Sequence, residues 1–395
     1  MTEWIECTLD KLGEIVGGAT PSTKCEDYYG GSIPWITPKD LSSFKGRYIT
    51  SGERNITEKG LASCSAQMMP KDAVLFTSRA PIGYIAIASQ SVCTNQGFKS
   101  IVVNEKADPL FVYYLLKYNK DAIEAMGSGT TFKEVSGKTM RAVKVRIPLD
   151  VSYQKRIAAV LDSLDTKIEN NERINDNLEL QAQACFQELF VDNADPEWAI
   201  GTISDLGAVV GGSTPSKAKP EYYTETGIAW ITPKDLSVNK SKFISHGEND
   251  ITELGLKNSS ATIMPEGTVL FSSRAPIGYI AVAAGEVTTN QGFKSIVPKP
   301  EIGTAFVYYF LKHNLPIIEG MASGSTFKEV SGSTMKGVPA VIPDTDTITR
   351  FNDFCSPIFA QQRILEEQNQ SLAALRDNLL PKLMSGEIDF SDVQL

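Results

Sequence analysis

The chain states much of its sequence twice. Trp35 to Leu41 reads WITPKDL and returns at Trp230 to Leu236; SRAPIGYIA runs from Ser78 to Ala86 and again from Ser273 to Ala281. TNQGFKSIV at Thr94 to Val102 recurs at Thr289 to Val297, and TFKEVSG at Thr131 to Gly137 recurs at Thr326 to Gly332. All four pairs lie 195 residues apart, and about 44 positions between Trp35 and Val102 are identical to their counterparts. Solenoid and propeller repeats have periods of roughly 20–50 residues, so this is a whole domain used twice. Its function should need two equivalent sites.

A chain of 395 residues with 42% apolar side chains has room for two or three domains with full cores. No apolar run approaches the length of a membrane span, and the first residues carry Glu3, Glu6, Asp10 and Glu14 instead of a basic stretch followed by an apolar one, which argues against a signal peptide. The six cysteines form no CxxC pair, and Cys64 and Cys93 become Ser259 and Thr288 in the second copy. Free thiols in a reducing cytoplasm are therefore expected, with no zinc framework. The two histidines, His246 and His313, have no counterparts in the first copy, which leaves no repeated metal site.

A net charge of −9 argues at first sight against a polyanionic partner. Its distribution reverses that impression. Residues 1–147 carry 18 basic against 15 acidic side chains and residues 196–342 carry 12 against 13, so the repeats are near neutral. Residues 148–195 carry 4 against 10 and residues 343–395 carry 4 against 9, so the acidity lies in the segments that follow each repeat. Where the charge sits, not its sum, decides what nucleic acid would meet.

Within each repeat, Val- and Ile-rich runs such as Ala73 to Phe76, Tyr84 to Ala88 and Ser100 to Val103 read as strands, and Leu110 to Tyr118 and Phe306 to Lys312 as short buried helices. Pro70, Pro81, Pro265 and Pro276 punctuate the runs. The acidic segments differ. Leu161, Leu164, Ile168, Asn171, Asn175, Leu178, Ala182, Cys185 and Leu189 follow a 4, 3 spacing, a heptad seam on a helix of about 36 residues and about 54 Å. Ile358, Gln361, Leu365, Gln368, Leu372, Leu375 and Leu379 give a second seam, with Ser356 and Pro357 as a candidate N-cap and first-turn pair. Asn171, Asn175, Gln361 and Gln368 interrupt the seams, as residues that fix register do. Two solvated linkers would have no need of matched seams.

The expected architecture is α+β: two similar mixed α/β domains, residues 1–147 and 196–342, separated by helical spacers, residues 148–195 and 343–395. Pairing those helices as an antiparallel coiled coil would give a pseudo-two-fold symmetric molecule.

Catalytic motifs are missing. Gly17-Gly18-Ala19-Thr20 and Gly211-Gly212-Ser213-Thr214 lack the Lys-Ser/Thr ending of a phosphate loop, no GxGxxG follows a strand, and a Ser-His-Asp set would need a repeated histidine. Repeated acids exist, Asp40 with Asp235 and Glu134 with Glu329, but acids beside lysine usually form surface ion pairs. What both copies share is a polar set suited to DNA. It comprises Lys39, Ser78, Arg79, Tyr84, Asn95, Gln96, Lys99, Thr131 and Lys133, with Lys234, Ser273, Arg274, Tyr279, Asn290, Gln291, Lys294, Thr326 and Lys328; Ser128 and Ser323 accompany them. Lys, Arg, Ser and Thr suit phosphate oxygens, while Arg, Asn and Gln can bond base edges bidentately. The same Asn-Gln-Gly and Ser-Arg-Ala-Pro runs are also good turn formers, and identity between copies can report a shared framework alone.

These motifs in this order resemble the specificity subunit of a type I restriction-modification system. The likeness spans essentially the whole chain and rests on PIGYI at Pro81 to Ile85, NQGF at Asn95 to Phe98 and GSGTTFKE at Gly127 to Glu134, each repeated, with two acidic heptad helices. The resemblance implies two target recognition domains, each reading half of a bipartite double-stranded DNA sequence, with the paired helices fixing the spacing. It also implies that two modification subunits dock on the helical region, which Leu161, Leu164, Ile168, Leu178, Leu365, Leu372, Leu375 and Leu379 would build. Those partners would carry S-adenosylmethionine and adenine methyltransferase chemistry, and restriction subunits would add ATP- and Mg-dependent translocation and cleavage. The chain itself would hold no cofactor and no catalytic residue.

Recognition domains in such subunits often differ strongly, whereas these two are alike. The expectation is two similar half-sites, approaching an interrupted palindrome, with differences confined to Ser43 to Asn55 against Val238 to Asp250 and Cys25 to Ile33 against Lys219 to Ile228. Two other readings stay open at this stage: an orphan or decoy subunit that pairs through its helices without a working complex, and a self-contained DNA-modifying enzyme. The latter lacks an Asn-Pro-Pro-Phe/Tyr motif.

Overall fold

A computed structural model describes residues 3–129, 133–324 and 328–389. They form two compact units, residues 1–170 with 369–395 and residues 171–368. Each unit holds one copy of the repeat, built alike. In the first, a five-stranded sheet runs in the order Gly13–Gly17, Lys99–Val103, Val74–Ser78, Ile82–Ala88, Tyr48–Ile49. A three-stranded sheet follows the order Arg54–Ile56, Tyr29–Ile36, Cys93–Thr94, and Trp4–Thr8 pairs antiparallel with Lys144–Pro148.

In the second unit the five-stranded sheet is Gly207–Gly211, Lys294–Pro298, Val269–Ser273, Ile277–Ala283, Phe243–Ile244, and Ala199–Thr202 pairs with Pro339–Ile342. The smaller sheet here counts four strands because one extra residue before Trp230 splits the long strand of the first copy into Tyr223–Thr224 and Ile228–Ile231. The pairing survives the insertion: Tyr29 and Ile33 both oppose Ile56, and Tyr223 and Ile228 both oppose Ile251.

The helix Pro109–Tyr118 is capped by Asp108, whose carboxylate accepts from Phe111 N–H, and it buries Phe111 to Leu116 almost entirely. Its counterpart Thr304–His313 does the same with Phe306 to Leu311. Helices that are apolar nearly all round belong inside a core. Both do, each wedged between the five-stranded sheet of its copy and the long helices.

The long helices run Val151–Gln187 and Thr345–Ser385. Within each unit their segments pair antiparallel. In the first, Asn369 donates to the Ile168 carbonyl, Arg376 reaches Asp165, and Tyr153 donates to Asp389. In the second, Asn171 donates to Gln368 and Asn175 to Glu366, while Gln362 donates to the Asn175 carbonyl. The expected α+β architecture with an antiparallel helical pair is observed.

The central helix keeps the seam read from its sequence: Leu161, Asn171 and Ala182 are buried, and Leu164, Ile168, Asn175, Leu178, Cys185 and Leu189 half-buried. The C-terminal helix departs from it. It starts at Thr345 with Asp344 as N-cap, accepting from Thr347 N–H at 2.8 Å, so Ser356 and Pro357 lie inside the helix and not at its start. Its seam is Ile348, Phe351, Cys355, Ile358, Gln362, Leu365, Asn369, Leu372, Arg376, Leu380 and Leu383. Gln361, Gln368 and Leu375, expected in the seam, are exposed, Leu375 by 48%. Leu372 and Leu379 are half-buried. The phase slips by one residue because positions 362, 369 and 376 are polar and meet polar groups of the central helix: Gln362 the Asn175 carbonyl and Glu179, Asn369 the Ile168 carbonyl, and Arg376 the Asp165 carboxylate.

Those carboxylates seat the domains. In the first unit Tyr114 donates to Asp165 Oδ2 at 2.8 Å and Arg376 reaches Oδ1 at 2.7 Å, with Lys117 and Arg47 at 4.0 Å. Arg47, only 6% exposed, also pairs with Asp162 at 3.2 Å and Glu169 at 3.1 Å. In the second unit Tyr309 donates to Glu179 at 2.8 Å, Lys312 pairs with it at 2.6 Å, and the buried Lys242 completes the contact. Arg47, Tyr114 and Lys117 correspond to Lys242, Tyr309 and Lys312 across the repeat. Lys242 also donates to Gln362 at 2.6 Å, its ammonium lies 4.2 Å from the Phe359 ring centre, and its backbone N–H bonds Glu366.

Removing one partner from a buried ion pair typically costs about 3–5 kcal/mol, because the remaining charge stays buried. Arg47→Met and Lys242→Met should each destabilise the chain by that amount in urea unfolding; a change within about 0.5 kcal/mol would contradict the seating role.

Burial by itself would raise the Glu179 carboxyl, but Lys242 and Lys312 outweigh it and hold it down at about 2. A depressed carboxyl contributes stability that is complete above its unfolded value and lost as pH falls toward the folded one. Acid should therefore weaken the chain progressively below about pH 4.5, and Glu179→Gln should flatten that part of the profile. An unchanged acid profile in the variant would contradict the assignment.

Candidate nucleic-acid interface

In each copy three short segments converge at one end of the smaller sheet. The first is the glycine pair that resembled a phosphate loop. Ala19 N–H donates to the Thr94 carbonyl at 3.0 Å and Ser213 N–H to Thr289 at 2.9 Å, which lays the segment across the Thr-Asn-Gln-Gly turn. A Cβ at Gly18 would stand 2.1 Å from the Asn95 carbonyl oxygen, and one at Gly212 would stand 2.0 Å from that of Asn290. Only glycine permits this backbone-on-backbone approach. The turn is closed by Asn95 and Asn290, whose Oδ1 atoms accept from Gly97 and Gly292 N–H at 2.8 Å. Thr20 and Thr214 donate their hydroxyls to the exposed Gln96 and Gln291.

The second segment is the WITPKDL run. Thr37 and Asp40 form a capping box, as do Thr232 and Asp235, and the proline after the threonine sits at the first helical turn. The spare oxygen of each aspartate accepts from the next loop: Glu53 N–H reaches Asp40 at 2.7 Å and Glu248 N–H reaches Asp235 at 2.8 Å. The repeated aspartates are therefore brackets, not free acids. Lys39 and Lys234 project outward and pair with Glu53 at 2.8 Å and Glu248 at 2.5 Å. The indole N–H groups of Trp35 and Trp230 donate at 3.0 Å to the carbonyls of Ala19 and Ser213, tying the strand to the glycine segment.

The third segment is the Ser-Arg-Ala-Pro turn, which contains a cis peptide bond at Ala80–Pro81 and at Ala275–Pro276. Arg79 and Arg274 are about one-third exposed and lie 3.4 Å from Glu134 and Glu329. The same glutamates also meet Lys99 at 3.5 Å and Lys294 at 3.7 Å. Backbone bonds between Ser128 and Glu134, and between Ser323 and Glu329, close the base of the next loop. Lys133 and Lys328 stand exposed beside it. Thr131 and Thr326 lie outside the described residues.

In the second unit these segments enclose an open cleft of about 670 Å³, lined by Lys234, Arg274, Asn290 and Gln291 together with Thr214, Lys217, Tyr223, Trp230 and Asn249. Every residue lining it is repeated in the first copy except two: Lys217, where Thr23 stands, and Asn249, where Arg54 stands.

Not every anticipated residue belongs here. Ser78 and Ser273 are fully buried, and their hydroxyls donate to the Gly97 and Gly292 carbonyls at 3.1 Å, so they brace the turn and offer no surface. Tyr84 lines a separate hollow with Phe44, Lys45 and Lys120, and Tyr279 packs under Lys240, whose ammonium lies 5.0 Å from the ring centre. Thr20, Tyr29 and Trp35, with Thr214, Tyr223 and Trp230, escaped the sequence reading although each is repeated. Repetition was the available signal; nothing in residue type separated these from framework.

A family model described as the type I restriction modification DNA specificity domain matches residues 1–180 and 196–374. The chain belongs to the type I restriction-modification specificity family. It is 31% identical to the type I restriction enzyme MjaIX specificity subunit of Methanocaldococcus jannaschii, over 98% of this chain and 94% of that one. To the HindI specificity subunit of Haemophilus influenzae it is 24% identical, over 73% and 80%. A crystal structure of a type I restriction-modification S subunit from M. genitalium shares the fold, with a TM-score of 0.65 at 17% identity and 97% and 96% coverage. The two copies are thus two specificity domains. The family places them among specificity subunits, and among the described residues no helix is long and apolar enough to cross a membrane.

Overpacking a close-packed contact costs about 1–3 kcal/mol, so Gly18→Ala and Gly212→Ala should each lower stability by about that much, read from the urea midpoint. Unchanged midpoints would show that the glycine segment does not need to lie against the turn.

Proposed function

We propose that this chain is the sequence-specific DNA-reading subunit of a type I restriction-modification complex, in which each recognition domain reads one of two similar half-sites of a bipartite target. The observation that carries this reading is the cleft at the convergence of three repeated segments, whose lining is the same in both copies at all but two positions. Its side chains are of the kinds that read DNA. Lys39, Lys234, Lys133 and Lys328 are exposed cations for phosphate, and Arg79, Arg274, Gln96 and Gln291 are exposed or half-exposed planar groups for base edges. Arg79 and Lys99 share Glu134, and Arg274 and Lys294 share Glu329, so phosphate would compete with a carboxylate already in place.

Residues 1–147 and 196–342 act in this reading as recognition domains, with residues 148–195 and 343–395 as helical spacers. The spacers scaffold two modification subunits and the restriction subunits in the cytoplasm. Apolar side chains that neither unit covers support that docking role: Leu180 is 63% exposed, and Ile174, Ile364 and Leu375 are each nearly half exposed. The chain is a reader without catalysis of its own. S-adenosylmethionine, ATP and Mg belong to the partners.

Co-expression with the modification subunit, followed by mapping of adenine methylation in the host genome, tests the reading. A bipartite motif with two similar halves is expected. Two unrelated halves would contradict the similar-site reading, and a stable complex that yields no motif would favour an orphan or decoy subunit.

A further inference from the structure

The residues that line the cleft of the second unit are repeated in the first copy apart from Lys217 against Thr23 and Asn249 against Arg54. The second pair occupies one structural position. Arg54 is in register with Trp35 and Asn249 with Trp230, each at the start of a short strand of the smaller sheet, Arg54–Ile56 and Asn249–Ile251. Both side chains are exposed, and among the described residues neither is engaged in a hydrogen bond or salt bridge. Their neighbours in the cleft are committed: Lys39 and Lys234 to Glu53 and Glu248, Gln96 and Gln291 to the threonines, and the Asn95 and Asn290 oxygens to the turn. Arg54 and Asn249 are thus free planar side chains at matched places where the two copies differ.

Their chemistry differs in the way that separates bases. Arginine bonds guanine O6 and N7 bidentately in the major groove, and asparagine bonds adenine N6 and N7. Threonine and lysine at 23 and 217 differ in charge, which alters phosphate contact more than base choice. We propose that the position shared by Arg54 and Asn249 distinguishes the two half-sites, Arg54 selecting guanine in one half where Asn249 selects adenine in the other. The inference deepens the DNA-reading function proposed above and rests on it.

Methylation mapping of the complex formed with the modification subunit gives the test, using wild type, Arg54→Asn, Asn249→Arg and Lys217→Thr. Both reading positions are exposed, so the variants should assemble, which gel filtration of the complex would verify. The wild-type motif should have two similar halves that differ by guanine against adenine at one place. Arg54→Asn should convert that guanine to adenine, and Asn249→Arg the reverse. In duplex competition with the purified complex, the wild-type preference at that base pair should be about 5- to 150-fold and should invert in the variant. Lys217→Thr should weaken binding and reduce its salt dependence without altering the motif.

Halves that are identical in the wild type, a motif unmoved by Arg54→Asn and Asn249→Arg, or a motif changed by Lys217→Thr instead would overturn the inference and leave the DNA-reading function intact. A wild-type complex that methylates no bipartite motif would overturn the function and the inference together.

Discussion

Each recognition domain is seated on the helices by one carboxylate that several donors share. Asp165 receives Tyr114 and Arg376 and lies beside Arg47 and Lys117; Glu179 receives Tyr309, Lys312 and Lys242. A buried charge is expensive to leave unpaired, and the surrounding cations and hydroxyls are costly to place anywhere else. The arrangement therefore works less as a source of net stability than as a constraint on where the domain sits. Both hubs come from the central helix, while the residues that find them are equivalent across the repeat. A duplicated domain has kept its plug, and a single helix provides two sockets at unrelated positions.

That constraint explains both the acidity of the spacers and the error in reading the second one. A heptad reading looks for apolar residues at every third or fourth place. In the central helix the rule holds, because Leu161, Ala182 and their neighbours face apolar partners. In the C-terminal helix the seam positions 362, 369 and 376, buried or half-buried, carry Gln, Asn and Arg, answering acids and backbone of the other helix. The nearest leucine, Leu375, points out. Pro357 misled for a related reason: it looked like a first turn, yet the helix had begun at Thr345 under the Asp344 cap. The strands and the buried aromatic helices were legible because their period and composition are local properties.

The cleft was half legible. Lys39, Arg79, Asn95 and Gln96 and their counterparts were visible as repeated polar residues, and the structure gathers the second set in one place. Ser78 and Tyr84 were visible on the same grounds and belong elsewhere, because repetition marks framework and surface alike. Asp40 and Asp235 illustrate the overlap. As helix caps that also clamp the following loop they are framework, yet that clamp places Glu53 with Arg54, and Glu248 with Asn249, at the rim. Gly18 and Gly212 serve the same end by letting one backbone lie on another. Shared residues shape the cleft in both copies, and very few are left to tell one half-site from the other.

Hydrogen exchange of the assembled complex with and without its cognate duplex tests that division of labour most directly. The account predicts that DNA slows exchange at residues 18–24, 52–55 and 95–98 and at their counterparts 212–218, 247–250 and 290–293, in both copies together. Protection confined to residues 44–46 and 83–85, around the separate hollow that holds Tyr84, with the cleft segments unchanged, would contradict it.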